Sequence, residues 1–109
     1  MNARLYLLQR GSALVMAPLV LVHLVMVIFA VRNGLSAEEI LGRTRGSLAW
    51  GAFYGLFVAA VSLHGAIGLR VILREWFDAK PHTATALAWL IGLGLLLLGL
   101  RAVVAVVLP

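Results

Sequence analysis

Residues 48–69 read LAWGAFYGLFVAAVSLHGAIGL, twenty-two positions with no charge and a single histidine, His64. About 20 apolar residues suffice to cross the hydrocarbon core of a bilayer, so this stretch is long enough to be a membrane span. The whole chain agrees with that reading: its 109 residues are 63% hydrophobic and 12% charged, far more apolar than an ordinary soluble domain. On either side of the central run lie two more, at 13–31 and at 84–108, the last interrupted by Arg101. The expected fold is an all-α membrane protein, a single domain over residues 1–109 with three transmembrane helices.

The polar segments between the runs punctuate them. From Arg32 to Ser47 the sequence RNGLSAEEILGRTRGS places Asn33-Gly34 as a stop signal. Ser36 followed three residues later by Glu39 is a capping-box pattern, which predicts a short interfacial helix over about 36–43. From Arg74 to His82 the sequence REWFDAKPH carries Trp76 and Phe77, suited to the headgroup level, and Pro81, expected to end a helix. The first run is too long, and lacks a suitably placed small-residue cleavage site, to be a signal peptide.

Composition also excludes whole classes of chemistry. With no cysteine there is no disulfide, and no thiolate to hold zinc or an iron–sulfur cluster. The net charge of +5 comes from basic residues scattered singly at the ends of apolar runs, not from a nucleic-acid-binding patch. No soluble catalytic domain, catalytic dyad or phosphate loop is legible, so any chemistry on a polar substrate belongs to a partner. Arg4, Arg10, Arg70, Arg74 and Lys80 fall on the side of the N-terminus, against Arg32, Arg43, Arg45 and Arg101 on the other, so a cytoplasmic N-terminus is expected.

Ionisable groups inside a span cost free energy and are candidates for function. Two histidines qualify, His23 in the first run and His64 in the second. Each is either an interhelical link or a ligand whose two ring nitrogens are satisfied by a metal and a carbonyl. Around His64 the residues Ala60, Gly65, Ala66 and Gly68 remove bulk. They admit a flat macrocycle beside the helix, or they serve plain helix packing. Arg70 and Arg74 follow, roughly 9 to 15 Å further along the axis. That is a suitable distance for the acid arms of a haem b, although both could equally snorkel to the headgroups.

The run His64-x3-Gly68-Leu69-Arg70, closed by Glu75, resembles the second transmembrane helix of the cytochrome b anchor subunits of succinate:quinone oxidoreductases, the succinate dehydrogenases and fumarate reductases. The opening Gln9-Arg10-Gly11-Ser12-Ala13, with Pro18 beyond it, is similar to the signature that begins their first helix. The resemblance covers nearly the whole chain. It implies one half of a paired haem- and quinone-binding bundle in a bacterial inner membrane, docked to a flavoprotein subunit and an iron–sulfur subunit beside a second anchor subunit. Such a complex belongs to respiratory electron transport and the tricarboxylic acid cycle. By the same resemblance His64 is an axial haem ligand and Arg70 and Arg74 hold the propionates. Arg10, Ser12 and Trp76 then lie at the site of a quinone, ubiquinone or menaquinone. Trp76 stands where the family carries a quinone-bonding tyrosine in one of its two anchor types, and an indole donates a hydrogen bond but cannot exchange a proton.

Counted from the ends of the predicted spans, His23 lies about 15 Å deep and His64 about 8 Å, so the two are not expected to share one iron. A second haem, on His23, is therefore the weaker expectation. Two other readings compete. One is a haem-free quinone anchor. The other is a small transporter, which Glu38, Glu39, Glu75 and Asp78 oppose because all lie at span ends or in connectors.

Overall fold

The computed structural model describes residues 2–108 as four helices, with no strand among them. They are α1 (Ala3–Asn33), α2 (Ala37–Thr44), α3 (Leu48–Glu75) and α4 (Pro81–Val107). Three of them, α1, α3 and α4, are long and apolar enough to cross a membrane. At 31, 28 and 27 residues they span roughly 40 to 47 Å. That length covers the hydrocarbon and reaches through both headgroup layers.

Each helix exceeds its apolar run because the flanking polar residues propagate it. The first run opens at Ala13, yet α1 starts at Ala3, where the Asn2 side chain accepts from the Leu5 amide at 2.9 Å. Leu, Gln and Arg are good helix formers and carry the helix through the interface. The capping pattern at Ser36 holds in its first half, the Glu39 amide donating to Ser36 Oγ at 3.1 Å. Gly34 follows α1 with φ 144°, a backbone that favours glycine. A Cβ there would stand 2.9 Å from the Glu39 side chain, so the α1–α2 corner has room for nothing larger. Pro81 does not end a helix as expected. It opens α4, because at a first turn its missing N–H is no loss. Helix α3 has already stopped at Glu75, and Asp78 takes a positive φ of 51° in the short connector.

Helix α3 lies in the middle and packs on both α1 and α4. The α3–α4 seam is close because α4 offers small residues. Ala84 and Ala88 are buried, and Cβ atoms added at Gly92 and Gly99 would lie 2.8 Å from Ala66 Cβ and 2.5 Å from Val58 Cγ1. Without a hydrophobic drive inside lipid, such backbone proximity and its dispersion contacts hold helices together. The bundle has a near end, where α1 and α4 begin, and a far end, where α3 begins. At the far end Thr44 Oγ1 donates to the Val106 carbonyl at 2.7 Å and the Gly46 amide to the Val107 carbonyl at 2.6 Å, satisfying the last acceptors of α4. Large apolar side chains are left uncovered along every long helix, Leu14 and Leu97 among them. In water that surface would be untenable, and lipid or a partner's helices must cover it.

Candidate functional site

The histidine on α3 meets α1. Ser12, only 7% exposed, places its Oγ 3.2 Å from His64 Nδ1 and donates its own proton to the Gln9 carbonyl at 3.0 Å. Gly68, one turn further along α3, permits this approach, since a Cβ there would lie 3.3 Å from Gln9 Nε2. The other ring nitrogen of His64, Nε2, has no partner among the described residues and is not enclosed by them. One nitrogen anchored to the protein and the other left without a partner is a donor arrangement that a metal-ligating imidazole would use.

The bulk-free residues around His64 are spent differently from the macrocycle expectation. Gly65 faces Leu95 of α4, Ala66 meets Gly92, and Gly68 faces Gln9 of α1. They serve helix packing. The case for a ligand rests instead on the Ser12–His64 pair, which the sequence hid because its members lie 52 positions apart.

His23 sits elsewhere. It lies eleven residues beyond Ser12 on α1, roughly 16 Å along the axis. Its ring is set edge-on to Phe57 at 5.3 Å and to Tyr54 at 6.3 Å between centroids. Trp50 and Phe53 extend this aromatic cluster. A groove of about 580 Å³ opens beside it, lined also by Ile40 and Thr44 of α2 and by Gly99 of α4.

The cations divide between the two ends as their positions on the helices require. Arg70 donates through Nε to Thr85 Oγ1 of α4 at 3.0 Å, and Arg74 through Nη1 to the Ala79 carbonyl at 2.8 Å. Both are drawn toward α4 and its connector, while His64 faces α1. Arg70 also lines a second groove, about 640 Å³, between α1, α3 and α4 at the near end. Arg10 is exposed, with its guanidinium over the Tyr6 ring at 5.7 Å, apart from buried Ser12. Trp76, the last-turn cap of α3, is exposed at the same end. The structure thus brings Ser12 and His64 together, and leaves Arg10, Arg70, Arg74 and Trp76 spaced around the near end. His82 and Arg101 are exposed, as simple interfacial residues are. Tyr54, Phe57 and Thr85 were not singled out from sequence, and Gln9 entered only as the first residue of the helix-one signature. Thr85 and Gln9, as polar residues on long helices, carried the only available signal.

Three long apolar helices packed into one bundle define a class, the helical membrane proteins. The chain belongs to the succinate dehydrogenase/fumarate reductase transmembrane subunit family, whose model matches residues 1–106. No curated protein and no solved structure matches it significantly. The chain is therefore a transmembrane subunit of that family, a membrane protein that works with the other subunits of such a complex.

Proposed function

We propose that this chain binds haem b through His64 and helps form the quinone site of a succinate:quinone oxidoreductase. In that role it connects an iron–sulfur subunit, itself served by a flavoprotein, to quinone in a bacterial inner membrane. The free Nε2 of His64, with Nδ1 held by Ser12, supports this more than any other observation. Bound there, haem b would supply a one-electron couple, its potential adjusted by His64 and the hydrogen bond at Nδ1. Among the described residues no second imidazole lies near His64, so any further protein ligand to the iron would come from a second anchor subunit. Arg70 and Arg74 keep guanidinium N–H groups beyond those bonded to Thr85 and Ala79, and these would hold and neutralise a haem's acid arms. Arg10 and Trp76 are exposed at that end and offer donors to a quinone carbonyl. The hydroxyl of Ser12 is already engaged twice, and its part is played on His64. With the N-terminus cytoplasmic, the near end faces the extrinsic subunits.

The test is haem per flavin in the purified complex, measured as pyridine haemochrome. His64→Ala should remove the haem, and a variant with undiminished haem content overturns the assignment. A dithionite-reduced spectrum of the membranes without Soret or α bands would favour the haem-free quinone anchor. Loss of quinone reduction in Arg10→Ala would support a quinone role for the near end. A second haem on His23 is favoured by one observation, the groove beside its ring, and would double the haem-to-flavin ratio.

A further inference from the structure

Ser12 is buried on α1, with its hydroxyl proton directed to the Gln9 carbonyl at 3.0 Å and its oxygen 3.2 Å from His64 Nδ1. A hydroxyl has one proton, and the 3.0 Å contact assigns it to the Gln9 carbonyl. Toward the ring, the oxygen can then only accept. Nδ1 must carry the hydrogen, and Nε2 is left with its lone pair, an assignment made from this network of partners. The opposite tautomer would set two acceptors, Nδ1 and the serine oxygen, against each other in an apolar surround unless Ser12 gave up the Gln9 carbonyl. Gly68 leaves room for the Gln9 side chain beside this pair, its Nε2 lying 3.3 Å from where a Cβ would stand.

We infer that Ser12 is a positioning residue that selects the Nδ1–H tautomer of His64 and fixes the direction of its Nε2 lone pair before any ligand arrives. This rests on the haem reading for its consequence but not for its geometry. An acceptor at Nδ1–H raises the basicity of the opposite nitrogen, and such partners of a ligating histidine typically contribute about 10–100-fold in affinity. A neutral hydroxyl belongs at the lower end of that range.

Two readouts on the intact complex test it. The first needs no haem: ¹⁵N-histidine solid-state NMR on complex assembled in haem-deficient cells. Wild type should show His64 with a protonated Nδ1, Ser12→Ala should lose that preference, and Ser12→Thr, whose hydroxyl can make the same back-bond, should keep it. The second is a redox titration of the haem α band. Ser12→Ala should move the midpoint to a more positive potential and lower haem retention roughly tenfold, with Ser12→Thr restoring both. The same tautomer in wild type and Ser12→Ala overturns the inference. So does a Ser12→Ala complex that keeps both potential and retention. Should His64→Ala keep its haem, the ligand assignment falls while the NMR result still decides what Ser12 does.

Discussion

His64 and His23 are both lone imidazoles on apolar helices, but the chain surrounds them in opposite ways. His64 is tied at one nitrogen to a buried hydroxyl that is itself tied to backbone. His23 is seated between the rings of Tyr54 and Phe57 and has no hydrogen-bond partner among the described residues. A hydrogen bond selects a tautomer and a direction, whereas edge-on ring contacts select only a plane and a volume. The contrast teaches that an ionisable residue in a span is not by itself a ligand. What it is fastened to decides what its remaining nitrogen can do.

The largest effect that can break the comparison is on haem itself. His64→Ala should abolish the haem proposed at the near end, while His23→Phe should leave it in place, since the two rings lie at different depths. Haem per flavin checks both, and a halved ratio in His23→Phe would raise His23 to a ligand of a second haem. Next come the seams that hold the two regions. Gly99→Ala sets a methyl 2.5 Å from Val58 Cγ1 and should cost about 1–3 kcal/mol by overpacking the α3–α4 seam near His23. Gly68→Ala, beside His64, meets the movable Gln9 side chain at 3.3 Å and should stay within about 1 kcal/mol of wild type, because the alanine gains helix propensity. Thermal unfolding in detergent micelles, compared between the two, measures that asymmetry. Thr44→Val deletes the 2.7 Å bond to the Val106 carbonyl at the far end and should cost about 1 kcal/mol. The smallest change expected is the stability of His23→Phe, under about 1 kcal/mol, since a third apolar ring fits a seat already made of rings.

The three spans and the α2 cap were legible because each depends on residues close in sequence. Runs of apolar residues, Asn33-Gly34, and Ser36 with Glu39 carry their own conformational instructions. Pro81 was misread because its restriction on the preceding residue is compatible with either a helix stop or a helix start. The small residues near His64 were ambiguous for a related reason. Smallness permits any close neighbour, and which neighbour arrives depends on how α1 and α4 are placed against α3.

By itself the amino-acid sequence determined the solvent this chain requires, the number of its membrane helices, and that the imidazoles of His23 and His64 sit within them. These follow from transfer free energies and local backbone preferences, which act over a turn or two. Only the tertiary structure decided that Ser12 would meet His64, that Arg70 would reach across to Thr85, and that His23 would lie among aromatic rings. Those pairings join different helices, and without a hydrophobic drive between helices in lipid it is the detailed fit of small residues along each seam that sets which faces meet.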